Sequence, residues 1–192
     1  IKLILLIISL FALIINIGCS PAGVLASGGG ATMVVAEGDR SLGAVVDDAT
    51  IKLNLSAKFL QSESKLFLDV NSNVTEGRVL LTGLVDTQEI RIDAVRKVWE
   101  VKGVQEVINE IEVGNKTTLK EYMNDLWINT QAKSLAAKTI GIRVLSYNFE
   151  TIRGKVYIAG ITSRPEQLQA VIDSAKTIKG VKEIVNYVVL KE

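Results

Sequence analysis

The sequence contains no histidine. That absence removes Ser-His-Asp and Cys-His catalysis in one step, together with histidine-based zinc sites. There is a single cysteine, Cys19, so an internal disulfide and every CxxC redox or metal motif are excluded as well. Carboxylate or lysine chemistry survives the exclusion, but no nucleophile–base pair or metal set is evident. The adjacent acids Asp47-Asp48 are better explained as the start of a helix than as a catalytic pair. No glycine-rich phosphate loop follows a strand, because Gly28–Gly30 precedes the first predicted element. Tryptophan is scarce, with only Trp99 and Trp127. The N-terminal apolar run, residues 3–17, is shorter than the roughly 20 residues that a spanning helix needs.

What is present begins with that run. "IKLILLIISLFALIINIGC" has one Lys, then the apolar stretch, then Gly18-Cys19-Ser20. It reads as a secretory signal over residues 1–18. A small residue and the only Cys directly after the apolar run resemble a bacterial lipobox, although Asn16 stands where that pattern usually has an aliphatic residue. The resemblance implies that Cys19 is the lipid anchor and that Ser20 directs the protein to the outer membrane. The alternative is a short uncleaved anchor. Residues 19–46 hold three consecutive glycines and many small side chains, which describes a flexible tether.

Charge is close to balanced but unevenly placed. Residues 20–114 carry nine Lys and Arg against fourteen Asp and Glu, a net −5; residues 115–192 carry twelve against seven, a net +5. Such asymmetry suggests different partners for the two halves; drift of solvated surface charge is the plainer explanation. The low positive charge and the leader argue against nucleic acid as a partner.

The sequence also repeats itself. Shifted by 77 residues, "EGRVLLTG" (76–83) falls on "RGKVYIAG" (153–160), and "KGVQEVIN" (102–109) falls on "KGVKEIVN" (179–186). Across the gapless overlap, 13 of 67 positions are identical. One fixed offset shared by separate motifs marks two copies of one small domain. We expect residues 47–114 and 121–192, joined by a linker at 115–120. In each copy the pattern predicts a helix (47–61; 124–139), with Asp48 and Asp125 as caps or first-turn acids. An alternating strand follows, with Leu68, Val70 and Val74, or Leu145, Tyr147 and Phe149, on one side. Glu76-Gly77 and Arg153-Gly154 read as turns into a second strand (78–85; 155–162). Asp86 or Ser163 is the expected cap of a second helix, Pro165 fits its first turn, and Gly103 and Gly180 stop it. A last alternating strand closes each copy. The expected class is α+β: helix, strand, strand, helix, strand, with a three-stranded mixed sheet and two helices on one face.

That doubled unit, with its "GxVxxxG" and "KGV" motifs, resembles the BON domain, which is named for osmotically induced and nodulation proteins. From the lipobox through "DRSLGAVVDD" to "NDLWI" the chain resembles the dual-BON outer-membrane lipoproteins of Gram-negative bacteria. The resemblance implies phospholipid binding through the second copy, support of outer-membrane integrity, a periplasm-facing location, and contact with envelope or division proteins. It implies no catalytic activity and no cofactor or metal.

The residues point the same way at one place. In the first helix of the second copy, Ile128, Ala132 and Leu135 form the expected core stripe. Trp127 lies about 100° from Ile128, off the centre of that face. Its sister position is Thr50, so the fold needs no aromatic there. Tryptophan suits the water–lipid boundary, and Lys120, Lys133 and Lys138 are expected to attract anionic head groups beside it. Alternatively Trp127 packs against the other copy or the tether. Trp99 is expected to be partly packed, at or near the interface between copies. For the whole chain the alternative function is a protein-interaction adaptor of the envelope, with Trp127 as a hot spot.

Overall fold

A computed structural model describes residues 42–63, 66–115 and 117–191. Cys19, the signal at 1–18 and the tether up to residue 41 lie outside them. By its contacts the chain divides into Ile1–Val34, outside the described residues, and a compact unit Val35–Glu192.

Within that unit the elements run α1 (Leu42–Leu60), α2 (Leu66–Asp69), β1 (Val70–Thr75), β2 (Arg78–Val85), α3 (Gln88–Trp99) and β3 (Glu106–Val113). The second copy repeats them as α4 (Leu119–Ile140), a 3-10 helix (Gly141–Ser146), β4 (Tyr147–Ile152), β5 (Lys155–Thr162), α5 (Pro165–Lys176) and β6 (Glu183–Leu190). The expected α+β class holds: two three-stranded mixed sheets, ordered β1-β2-β3 and β4-β5-β6. β1 and β2 are antiparallel, β2 and β3 parallel, with α3 as the crossover; the second copy follows suit. The long helices begin five residues earlier than their pattern suggested.

Each two-residue hairpin has both loop residues at positive φ: 50° at Glu76 and 74° at Gly77, 51° at Arg153 and 82° at Gly154. This is the turn whose twist matches the flanking strands. The strained non-glycine residue is held by the first helix. Asp48, buried, accepts the backbone N–H of Glu76 at 2.8 Å and of Gly77 at 2.9 Å. Asp125 accepts those of Arg153 and Gly154 at 2.7 and 2.8 Å. These acids therefore do not cap their helices; each sits seventh in its helix and fastens it to the hairpin. The "KGV" segment completes the corner, since Gln105 and Lys182 donate to the carbonyls of Gly77 and Gly154, both at 2.8 Å.

The final glycine of the "GxVxxxG" motif has a separate cause. A Cβ on Gly83 would lie 2.2 Å from the Asp69 carbonyl oxygen, and one on Gly160 2.1 Å from that of Ser146. Strand pairing begins at that close approach, so Leu68 and Leu145 fall in the helical turn before the strand and are exposed, not aligned with Val70 or Tyr147. The caps of the second helices also differ from expectation. Thr87, not Asp86, caps α3 by accepting the Ile90 N–H at 3.4 Å. Ser163 does not cap α5, which opens at Arg164 with Pro165 in its first turn.

Three cores result. Ile51, Leu55 and Phe59 of α1 meet Ala94 and Val98 of α3 over the first sheet. Ile128, Ala132 and Ala136 of α4 meet Leu168, Val171 and Ala175 of α5 over the second. The third core lies between the sheets, where Leu80 and Ile108 face Tyr157, Ala159, Val185 and Tyr187. The layers are thus helix, sheet, sheet, helix. Trp99 is exposed at the end of α3 and takes no part in the sheet-to-sheet core.

Equivalent positions meet across this third core. Leu80 and Tyr157 are 77 apart in sequence, as are Ile108 and Val185. Glu110 and Tyr187 are too, and the phenol of Tyr187 donates to the Glu110 carboxylate. Burial and that carboxylate push the Tyr187 phenol up to about 12. A contact between identical positions of two copies is the mark of an isologous, two-fold interface. The polar rim follows the same symmetry: Glu76 binds Lys191, while its sister Arg153 binds Glu112 at 3.6 Å and the Asn115 carbonyl at 2.7 Å.

Candidate functional site

α4 starts at a complete capping box. The Thr118 hydroxyl accepts the Glu121 N–H at 3.3 Å, and the Glu121 carboxylate accepts the Thr118 N–H at 2.8 Å. Those bonds hold the Glu121 carboxyl below the usual range. T-x-x-E at 118–121 has capping-box spacing, the signal that would have placed the helix start here and not at residue 124.

The helix then carries two apolar stripes. One, Ile128, Ala132, Ala136 and Ile140, is buried in the second core. The other is exposed: Leu119, Tyr122, Met123, Leu126 and Trp127. Their spacing alternates between three and one, which places all five on one arc of the first two and a half turns. Leu119 is 77 % exposed and Trp127 46 %. Trp127 therefore leaves about half of its surface open to solvent. The single core stripe expected from the sequence leaves out Leu119, Tyr122 and Leu126; the signal that finds them is a second stripe of the same period.

The lysines divide. Lys120 stands seven residues before Trp127 and Lys138 eleven after it, both on the Trp127 line of the helix, roughly 10 and 16 Å along the axis. Lys133, six residues on, is turned about 120° away. It lines a cleft with Lys52, Asn71 and Glu150. Glu150 accepts Asn71 Nδ2 at 3.1 Å across the sheets. Burial raises the Glu150 carboxyl above its ordinary value, against the opposing pull of Lys133 and Lys52. Lys52 is itself tied to Ser72, donating to its carbonyl and, at 2.9 Å, to its hydroxyl. The structure thus brings Trp127, Lys120 and Lys138 to one line and places Lys133 beside another.

Beside the exposed stripe runs a groove of about 540 Å³ between the two copies, bordered by Leu68 and Leu84 of the first and by Leu119, Tyr122 and Leu126 of the second. An exposed apolar stripe next to a groove can hold an amphiphile or a surface. Among the described residues no helix is long and apolar enough to cross a membrane.

Comparison with known proteins agrees with this arrangement. The BON domain profile matches residues 47–115 and 124–192. The sequence is 39 % identical over 147 residues to an uncharacterised protein in the gshII 5′ region of Anaplasma centrale, covering 76 % of this chain and 96 % of that one. It is 32 % identical over 174 residues to the outer membrane lipoprotein DolP of Haemophilus influenzae, covering 88 % and 86 %. It is 29 % identical over 154 residues to the 21 kDa hemolysin of Actinobacillus pleuropneumoniae, covering 78 % of each.

Proposed function

The chain belongs to the BON-domain family, with two BON domains in tandem, and from that premise we propose that it is a non-enzymatic, lipid-anchored envelope protein that docks on anionic phospholipid through α4. The observation that carries this reading is the exposed row Leu119–Tyr122–Met123–Leu126–Trp127. A monomeric fold gains nothing from showing water five large apolar side chains on one helix face. The similarity to an outer membrane lipoprotein supports Cys19 as anchor and a periplasm-facing position on the outer membrane, where the protein supports membrane integrity.

Magnitudes fit a reversible contact. Full burial of such a side chain is worth about 1.5–3 kcal/mol, and across the row a little under half of that surface is already covered. Five of them give roughly 5 kcal/mol, comparable with one myristoyl chain, which binds only marginally. Lys120 and Lys138 add about 1 kcal/mol each near an anionic surface. The Cys19 anchor supplies the rest by keeping the domain close to its target.

Binding of residues 35–192 to vesicles containing phosphatidylglycerol tests this. Trp127→Glu is expected to lower the affinity at least tenfold with an unchanged melting temperature. Unchanged affinity would sink the reading. If the exposed row instead serves a protein adaptor, a partner will stay bound in detergent without anionic lipid and be released by the same substitution.

A further inference from the structure

The groove beside α4 has two kinds of wall. Its rim is apolar and comes from both copies: Leu68 on α2, and Leu119, Tyr122 and Leu126 on α4. Leu68 is 77 % exposed, so the core does not explain it. The remaining wall includes Asp69, Asn71, Asp125, Asn129, Glu150 and Thr151: three carboxylates and, among the described residues, no lysine or arginine on the lining.

Two of these groups are unexplained by the fold. Thr151 Oγ1 and Asn129 Oδ1 are buried and have no hydrogen-bond partner among the described residues; Thr151 as a whole is 5 % exposed. Buried polar atoms of native proteins are normally paired, so such exceptions call for a cause. The sister positions show that the domain does not demand them. Thr151 corresponds to Val74, part of the first core, and Asn129 to Lys52, whose ammonium is bound to Ser72. The second copy alone has placed two unpartnered acceptors at this groove. Asp125 is occupied by the hairpin, whereas Glu150 gives Asn71 only one of its oxygens.

The wall's charge decides what it takes. The three carboxylates repel a bare phosphate, and together with the Asn129 amide oxygen and the Thr151 hydroxyl they offer acceptors to a donor-bearing group. About 540 Å³ is within the range of small-molecule sites. We propose that the groove is a head-group subsite: it receives the hydroxyl or ammonium donors of a phospholipid head group, with the phosphate outside the groove and an acyl chain along the Leu68–Leu119–Leu126 rim. The subsite rests on the docking of α4 described above and makes the first copy part of the docking surface.

The experiment uses residues 35–192, a compact unit that carries all three cores complete. Vesicles of phosphatidylcholine receive either phosphatidylglycerol, whose head group has two hydroxyls, or phosphatidic acid, which has no head group beyond its phosphate, at matched surface charge. A third set adds phosphatidylethanolamine to the phosphatidic acid mixture and separates ammonium from hydroxyl as the donor. The parent is expected to bind phosphatidylglycerol at least fivefold more tightly than phosphatidic acid. Thr151→Val with Asn129→Leu is expected to abolish that preference without changing binding to phosphatidic acid. Leu68→Ser, at an exposed position, is expected to weaken binding to both sets severalfold. Equal affinity of the parent for phosphatidylglycerol, for the phosphatidylethanolamine mixture and for phosphatidic acid alone, or a preference that survives the double substitution, overturns the subsite. Failure of docking itself is distinguishable: there the parent and Trp127→Glu bind every vesicle alike.

Discussion

Asp48 and Asp125 show what one side chain can hold together here. Each lies buried in a first helix and takes two backbone N–H groups of a hairpin whose first loop residue is strained. Removing either carboxylate leaves both donors without a partner. Charge-assisted bonds of this kind are worth about 1.5–3 kcal/mol each. Asp125→Ala is therefore expected to cost about 3 kcal/mol or more in chemical denaturation, Asp125→Asn less because one acceptor remains, and the Asp48 variants should rank in the same order. Glu150 behaves oppositely. Its carboxyl is raised by burial, so the folded state favours the protonated form. The stability tied to that proton is present below the ordinary carboxylate value of 4.5 and is lost as pH rises through the higher folded value. Glu150→Gln, which mimics the protonated acid, is expected to melt with the parent near pH 4 and progressively above it as pH is raised. Melting curves of the two proteins across that range will show whether the gap opens in this direction.

At the scale of elements, α4 carries most of the functional argument because it is amphipathic twice over. The buried stripe was plain in the sequence: Ile128, Ala132 and the helix that holds them follow from spacing alone. So did both hairpins and the central strands that follow them, which the Glu76-Gly77 and Arg153-Gly154 turns mark. What was not legible depends on how elements meet. Asp125 looks like a cap until the hairpin of its own copy is folded against it. Leu68 keeps strand spacing with Val70 although a helical turn separates them. Lys133 is near Trp127 in sequence, yet the helix turns it toward Glu150. This last difference is testable. Lys120→Glu is expected to weaken binding to anionic vesicles about five- to tenfold, the effect of reversing a charge beside the membrane at low salt. Lys133→Glu is expected to have the smaller effect on binding and to lower the melting temperature, because it faces another carboxylate. Parallel titrations of both variants at one ionic strength, with their melting curves, will separate the two.

At the scale of the whole molecule, two copies that are each thin on their own become one body by sharing the outer faces of their sheets. The central strands β2 and β5 are consequently buried on both sides. Leu80→Asp puts an unpaired carboxylate into that shared layer, at a cost of about 3–5 kcal/mol, and is expected to split one calorimetric unfolding transition into two. The two-fold character of this layer has a further consequence. A surface on which Leu80 meets Tyr157 and Glu110 meets Tyr187 is the same surface that two separate molecules would offer each other. Only the stretch between Val113 and Leu119 obliges the halves of one chain to choose one another. Shortening that stretch turns the choice outward, toward exchange of halves between chains, so that association rises with protein concentration while every contact within the layer stays as it is.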